Sequence, residues 1–216
     1  SNPSGAIYDE ETLKMIADIA REKDLWIIFD EIYERLVYGP AKHVNILNVA
    51  PDLRDRVIII NGASKAYAMT GWRIGYALAP KPLIAKMNTL QTHLTSNASS
   101  IAQWAAWGAV KDADPDVEKM RQAFEERRGV ILGLVRDMPY VKVRDPEGAF
   151  YIFIDVRESP IPDDMVFCEK LLEEKFVAAV PGAAFFAPGF IRFSYACSME
   201  NIREGMGRLK EFLSSL

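Results

Sequence analysis

The fold follows from residues 57–76, which read VIIINGASKAYAMTGWRIGY. This stretch opens with the apolar run Val57–Ile60, which predicts a strand buried in a sheet. Small and polar residues follow, Asn61-Gly62-Ala63-Ser64-Lys65, and a second apolar run begins at Ile74. The lysine therefore comes just past the end of a buried strand, which is where open α/β sheets bind their ligands.

The residues before this stretch alternate between helix and strand patterns. Asp9 can cap a helix over residues 10–22, and the apolar residues of that helix recur at helical spacing: Leu13, Ile16, Ala17 and Ala20. The continuous apolar run Leu25–Phe29 then predicts a strand buried on both faces, as in a parallel sheet. This alternation predicts an α/β fold with a mostly parallel sheet and flanking helices.

The pattern changes near residue 112, where the acidic segment Asp112–Asp116 contains Pro115 and predicts a hinge. We therefore predict two domains, residues 1–112 and residues 113–216. The second domain is predicted to be a compact α+β unit. Helices are predicted near residues 82–94, 99–110, 117–136, 163–175 and 199–216, and further strands near 140–143, 149–155, 177–180 and 191–195.

Composition excludes several classes of protein. Half of the 216 residues are hydrophobic, 26 basic residues face 30 acidic ones, and there are two cysteines. These values exclude a disordered chain and a disulfide scaffold. No apolar run approaches the ~18 residues of a membrane helix. The chain has no basic patch, so a nucleic-acid partner is not expected. Neither histidine has metal-ligand spacing to cysteine or acidic residues. The N-terminus Ser1–Gly5 does not resemble a signal peptide, so we expect a cytoplasmic protein.

Lys65 and its neighbours carry the sharpest chemical signal. A desolvated lysine can attack a carbonyl to form a Schiff base, and Ser64 and Arg73 could together hold a phosphate. The run Gly62–Gly75 meets every position of the cofactor-attachment segment of class I and II aminotransferases, which it closely resembles. These are fold type I enzymes of pyridoxal 5′-phosphate (PLP). The resemblance implies that Lys65 carries PLP as a Schiff base and then serves as the catalytic acid and base.

The resemblance extends to residues on both sides of Lys65. Asp30, at the end of its strand, would face the pyridine nitrogen and keep it protonated, which the electron sink requires. Tyr33 and Asn2, the latter in the turn Asn2-Pro3-Ser4-Gly5, would donate to the phenolic oxygen of PLP. Glu31 is interpreted as structural and stays outside the predicted site.

Two residues near the C-terminus are candidates for contact with the substrate. Arg192 lies in the apolar run Gly189–Ala196, where burial without a partner is costly. An internal salt bridge would explain it, but the segment resembles the family's clamp for the substrate α-carboxylate. A planar guanidinium binds a carboxylate with two hydrogen bonds. Phe150, in Gly148-Ala149-Phe150-Tyr151, resembles an aromatic residue that overhangs the substrate, although an aromatic residue in a strand more often belongs to the core.

The resemblance implies a PLP-dependent transaminase that acts on amino acids and 2-oxo acids. The sequence of residues 63–76 most resembles that of prokaryotic aspartate aminotransferases, which favours aspartate and 2-oxoglutarate as the substrate pair. Three alternatives use the same residues or the same fold: an aromatic or broad-range aminotransferase, a C–S β-lyase, and the aminotransferase-like domain of a transcription regulator. Pyruvate release without a keto acid would identify the lyase, and an upstream helix-turn-helix would identify the regulator.

The length of the chain adds an expectation about its extent. Complete members of the family are about twice as long, so we expect residues 1–112 to be the later part of the PLP-binding large domain. Residues 113–216 would be the small C-terminal domain. We expect the 216-residue piece alone to have no measurable transaminase activity, and the full-length protein to be a homodimer.

Overall fold

A computed structural model describes residues 1–216, which form two compact units. One unit is Ile7–Met120, and the other combines Ser1–Ala6 with Arg121–Leu216. None of the helices is both long and apolar enough to cross a lipid bilayer. The division into a large-domain part, 1–112, and a small domain, 113–216, is a statement about family roles and stays a prediction.

The unit Ile7–Met120 contains a small sheet with helices before and after it. Its elements in chain order are α1 (Glu10–Glu22), β1 (Ile27–Asp30), α2 (Ile46–Val49), β2 (Val57–Gly62), β3 (Gly75–Leu78), α3 (Lys81–Leu94), α4 (Ser100–Asp112) and the start of α5 (Asp114–Arg136). The predicted helices over residues 10–22, 82–94 and 99–110 are present within two residues at each end. Helix α5 ends where predicted but begins three residues earlier than residue 117.

Helix α1 forms for the reasons that its sequence indicates. The Asp9 carboxylate accepts a hydrogen bond from the backbone N–H of Thr12 at 2.8 Å, which satisfies one of the free donors of the first turn. The predicted apolar face packs into the core of this unit. The buried residues of that core are Leu13, Ala17, Ala20, Ile46, Ala50, Leu53, Val57 and Ile59. The helix therefore buries one stripe and exposes the rest.

The sheet has the order β1-β2-β3 and mixes two pairing modes. β1 and β2 are parallel, with Asp30 opposite Ile60, whereas β2 and β3 are antiparallel, with Gly62 opposite Gly75. The predicted mostly parallel sheet therefore holds for one of the two pairings. The second pairing is reversed because β3 follows β2 through a connection that has no crossover helix.

The prediction that β1 is buried on both faces is wrong. Ile27 and Phe29 pack against the core beneath α1, but Ile28 is 71% exposed and Trp26 is 54% exposed. Successive side chains of a strand point to opposite faces, and within this chain only the face with Ile27 and Phe29 packs against the core. An apolar run therefore predicted the strand correctly but not the covering of its second face.

The second unit is an antiparallel sheet with two whole helices and the C-terminal part of a third. Its elements are β4 (Lys142–Val143), β5 (Tyr151–Asp155), α6 (Asp164–Lys175), β6 (Val180–Pro181), β7 (Phe190–Ser194), α7 (Met199–Ser215) and the end of α5. The strand order is β4-β5-β7-β6, and all neighbours are antiparallel. Phe167 of α6 and Phe212 of α7 meet edge to face in its core, with ring centroids 5.2 Å apart. All the predicted elements of this half are present, although the strands predicted at residues 140–143 and 177–180 are only Lys142–Val143 and Val180–Pro181.

Phe212→Ala is expected to lower the free energy of unfolding of this unit by about 3–5 kcal/mol, because it removes a fully buried ring and leaves a cavity. Phe186→Ala is the matched control: its ring is 99% exposed, so we expect a change within about 0.5 kcal/mol. Urea unfolding of the full-length protein measures both. Equal midpoints for the two variants would contradict the assigned core.

Candidate active site

The C-terminal ends of β1 and β2 bring three of the predicted site residues to one edge of the sheet. The parallel register sets Asp30 beside Ile60, five residues before Lys65. The Asp30 carboxylate accepts a hydrogen bond from the backbone N–H of Ile32 at 2.9 Å, which starts the turn that carries Tyr33. The Nζ of Lys65 lies 5.9 Å from the centre of the Tyr33 ring. An acid, a phenol and an amine therefore share this edge.

The loop after β2 is wound tightly around Lys65. The Met69 N–H donates to the Ser64 carbonyl at 3.1 Å and the Ala68 N–H donates to the Lys65 carbonyl at 3.3 Å. Ala68 and Arg73 adopt left-handed backbone conformations, with φ of 53° and 51°. Residues other than glycine rarely adopt this conformation, and they are enriched at functional sites.

Arg73 completes this edge with a cation that has no acidic partner. Its Nη1 donates to the carbonyl of Thr70 at 2.8 Å, and no carboxylate of the chain lies within ion-pair distance. The side chain is exposed, and its remaining N–H groups can bind an anion. Ser64, on the same loop, is half-buried. The structure places both predicted phosphate ligands in the connection between β2 and β3, and their joint binding of a phosphate stays a prediction.

Glu31, the residue after Asp30, stabilises the turn through buried hydrogen bonds. Its carboxylate is buried, and its Oε1 lies 2.6 Å from Nε2 of His43 and accepts from Nδ2 of Asn45 at 2.8 Å. Its backbone N–H also donates to the carbonyl of Ile60 at 2.8 Å. Glu31 therefore has the structural role that its sequence predicts. Its partners were not predicted, because they lie on a loop 12 and 14 residues away.

Glu34 ties the same turn to the end of β2. Its Oε1 accepts from Nδ2 of buried Asn61 at 2.8 Å, and Asn61 Oδ1 accepts from the N–H of Gly62. The pKa of Tyr76 on β3 is raised, mainly by partial burial and to a lesser extent by the negative charge of Glu34.

Glu31, Glu34 and His43 place possible metal-ligand atoms within 4.8 Å of one another. The 2.6 Å contact between Glu31 and His43 is, however, a direct hydrogen bond.

Arg192 is the main candidate site residue of the other unit. It lies on β7, and its guanidinium carbon is 4.5 Å from the centre of the Tyr151 ring and 4.9 Å from that of Phe185. Its Nη1 donates to Oδ1 of Asn2 at 2.6 Å, and no acidic side chain pairs with it. Its Nε is buried without any hydrogen-bond partner. The internal salt bridge that could have explained this arginine is absent.

The turn at the N-terminus places Asn2 against Arg192. The Gly5 carbonyl accepts from the N–H groups of Glu147 and Gly148 at 2.9 and 2.8 Å, which docks this turn beside the start of β5. Gly5 has φ of +70°, and a Cβ there would lie 2.3 Å from that of Pro146, so no larger residue fits. A contact across 190 residues has no signal in local sequence patterns.

Phe150 lies in the same unit but packs among other rings. Its ring stacks on Phe124 with centroids 5.4 Å apart and lies 4.8 Å from that of Tyr151. It is half-buried. Its predicted contact with substrate stays a prediction. Tyr151 and Phe185 are the aromatic residues that contact the arginine, and neither was predicted.

Comparison with known proteins places this site in a family context. Residues 1–209 match the family described as aminotransferase class I and II. An aspartate aminotransferase of Geobacillus stearothermophilus is 43% identical over 219 residues, covering 100% of this chain and 56% of that protein. The chain therefore spans about half the length of the relatives it matches.

Solved structures give the same result. The aromatic aminotransferase of Pyrococcus horikoshii OT3 superimposes with a TM-score of 0.94 at 37% identity, covering 99% of this chain and 58% of that one. The aspartate aminotransferase of Thermus thermophilus with maleate superimposes with a TM-score of 0.91 at 40% identity, covering 99% and 55%. The mixed helix and sheet architecture is thus that of known aminotransferases.

Proposed function

The chain belongs to the aminotransferase class I and II family, and on that premise we propose that it supplies the lysine and the carboxylate clamp of a PLP-dependent transaminase. The activity is proposed for the full-length protein, since the chain spans about half the length of its relatives. Residues 1–112 would be part of the PLP-binding large domain, and residues 113–216 the small domain.

The residues at the ends of β1 and β2 fit PLP. Arg73, which has no acidic partner, and Ser64 would bind the phosphate, and the exposed Asp30 carboxylate would pair with the pyridine nitrogen. Tyr33 and Asn2 would donate to the phenolic oxygen, and the Nδ2 of Asn2 is not used by its bond to Arg192. When bound, PLP supplies an electron sink for the electron pair of a broken substrate Cα–H bond.

Lys65 would move the proton in this reaction. It would hold the cofactor, and after the substrate amine releases it, its Nζ would take the proton from the substrate Cα and return it on the other side of the transferred nitrogen. The tight loop from Ser64 to Met69 holds the backbone of Lys65, so that only its flexible side chain needs to move. Asp30 would hold the ring-nitrogen proton throughout.

Arg192 gives the strongest support for an amino-acid substrate. A buried Nε without an acceptor is costly unless a ligand satisfies it. A carboxylate would accept from Nε and from one terminal nitrogen, which is the geometry of a guanidinium fork. Tyr151 and Phe185 keep the guanidinium plane oriented, and Asn2 occupies Nη1. Amino acids and 2-oxo acids both carry the α-carboxylate that this fork requires.

We expect the full-length protein with PLP to transfer the amino group of aspartate to 2-oxoglutarate, giving oxaloacetate and glutamate. The measurement compares initial rates with aspartate, phenylalanine and tyrosine as donors, each with and without 2-oxoglutarate. Aspartate is favoured because the Geobacillus and Thermus relatives carry that name, whereas the Pyrococcus one is an aromatic aminotransferase.

The controls separate the alternatives. Rates that require both the donor and the keto acid support transamination, and a faster rate with phenylalanine would reassign the donor to aromatic amino acids. Pyruvate release from cystathionine without a keto acid would instead identify a C–S β-lyase. The absence of both reactions in PLP-loaded protein would overturn the proposed activity. The aminotransferase-like domain of a transcription regulator would then be the remaining alternative.

The proposed assembly is a homodimer of the full-length protein. Its support is the large apolar surface on two helices of the first unit. Helix α3 has no buried residue, and α4 buries only Ala102. The large side chains exposed on them are Met87, Leu90, Leu94, Ile101, Trp104, Trp107 and Val110. Such surfaces mark interfaces, and sedimentation of the full-length protein measures the assembly.

A further inference from the structure

Asp164 is a buried carboxylate that the proposed reaction does not use. It is the first residue of α6 and only 4% exposed. Its Oδ2 accepts from the N–H of Ala183 at 2.7 Å, and its Oδ1 accepts from the N–H of Gly189 at 2.9 Å. No basic side chain pairs with it. Both oxygens are therefore bound to the backbone of one short segment, residues 182–189.

Residues 182–189 carry the ring that covers the Arg192 guanidinium. The segment begins with a 3₁₀ turn, Gly182–Phe185, whose last residue places its ring 4.9 Å from the guanidinium carbon. The two hydrogen bonds of Asp164 hold one amide near each end of the segment. The position of the Phe185 ring is thus linked to a carboxylate on a different element.

The ends of this segment have little room to relax. A Cβ on Gly182 would lie 2.1 Å from the carbonyl oxygen of Ala187, and one on Gly189 would lie 2.4 Å from Cγ of Arg157. The Ala187 N–H also donates back to the Gly182 carbonyl at 3.0 Å. Because both ends of the segment are closely surrounded, we expect a change at either amide to shift the segment that carries Phe185.

Helix capping does not explain Asp164. The preceding residue, Asp163, is the N-cap of α6, and its Oδ1 accepts from the N–H groups of Met165 and Val166 at 2.9 and 3.1 Å. The first turn is therefore satisfied without Asp164. A buried carboxylate is costly to desolvate, and here two charge-assisted hydrogen bonds to residues 182–189 and the helix N-terminus offset that cost.

We propose that Asp164 is a positioning residue for substrate binding, which holds Phe185 over Arg192 so that the guanidinium fork stays aimed at the substrate carboxylate. The inference rests on the proposed role of Arg192. Asp164 touches neither substrate nor the reacting atoms. Its effect is therefore on the affinity for carboxylates and not on the proton transfer at Lys65.

The test is Asp164→Asn in the full-length, PLP-loaded protein, with maleate as a non-reacting carboxylate probe. Asparagine has the same shape, but its Nδ2 faces a backbone N–H and cannot accept, so one of the two bonds is lost. We expect the Kd for maleate and the KM for the amino donor to rise about tenfold, with kcat changed less than about twofold. The visible absorbance of the lysine-bound cofactor stays unchanged.

Asp163→Asn is the matched control, since it makes the same charge change one residue away. Asparagine caps a helix as well as aspartate does, so the maleate Kd and the KM stay at their wild-type values. Hydrogen exchange adds a readout that does not depend on activity. The amides of residues 182–190 exchange faster in Asp164→Asn than in wild type, and Asp163→Asn leaves them protected.

Phe185→Leu shows whether the effect passes through the ring. It leaves both Asp164 bonds in place, and we expect a Kd for maleate about fivefold higher. In the double variant with Asp164→Asn, the Kd rises no more than about tenfold, because both changes remove the same contact. An unchanged Kd in Phe185→Leu, or additive effects in the double variant, would overturn the positioning role.

The outcomes also separate this inference from the proposed function. Wild-type protein that binds neither PLP nor maleate would remove the proposed function itself. Wild-type protein that binds both, with Asp164→Asn and Asp163→Asn indistinguishable in Kd and exchange, would remove only the role of Asp164.

Discussion

Lys65→Ala is expected to abolish transamination, with kcat/KM falling at least about 10³-fold. Lys65 follows β2 at the edge formed by β1 and β2, and its Nζ lies 5.9 Å from the centre of the Tyr33 ring. Alanine can neither hold the cofactor covalently nor move the Cα proton. The measurement combines initial rates with the absorbance spectrum of the PLP-loaded, full-length protein. The visible band of the lysine-bound cofactor should be absent.

The control for this variant is Lys14→Ala, which removes an exposed lysine on α1 that pairs only with Glu10 at 3.8 Å. We expect that variant to keep wild-type rates and spectrum. Retention of the visible band in Lys65→Ala would show that another lysine holds the cofactor. If Lys65→Ala binds PLP reversibly and without the visible band, then Ser64 and Arg73 bind the cofactor without the covalent link.

Arg192→Lys is expected to lower kcat/KM about 100-fold while the cofactor stays bound. Lysine keeps the charge but loses the planar fork, the Nη1 bond to Asn2 and the guanidinium contacts with the Tyr151 and Phe185 rings. A point charge cannot make two parallel hydrogen bonds to a carboxylate. Initial rates over a range of aspartate concentrations, together with the cofactor spectrum, measure the effect.

Arg136→Lys serves as the control for the change of residue type. That arginine is exposed, and it already has a carboxylate partner within the chain, Asp145, at 2.5 Å. We expect kcat/KM to stay within about twofold of wild type. If Arg192→Lys had wild-type kinetics, the substrate carboxylate would bind elsewhere, and the buried Nε would require a different explanation.

Local sequence patterns predicted the regular elements well. Asp9 and the spacing of Leu13, Ala17 and Ala20 predicted α1 with its observed ends, because a cap and a 3.6-residue period act within one helix. The apolar run at residues 57–60 predicted β2. The covering of β1 was predicted wrongly, since the exposure of Ile28 depends on what packs on the second face of the sheet.

The candidate site was predicted in unequal parts. Lys65, Ser64 and Arg73 lie within one short segment, so their common location follows from chain connectivity. Asp30 and Tyr33 needed a parallel pairing of β1 with β2, which the run of apolar residues indicated and the register supplies. The network of Glu31 with His43 and Asn45 had no such signal, because those residues lie on a loop without periodicity.

The sequence by itself determined which chemical groups are present and which local structures hold them: a lysine after a buried strand, an acid at the end of another, and an arginine in an apolar strand. Tertiary structure alone decided how Arg192 is held. Asn2, Tyr151 and Phe185 reach it from three separate segments, and Asp164 restrains the last of these from α6. Capping and periodicity act between residues a few positions apart, whereas packing and buried hydrogen bonds depend only on distance in space.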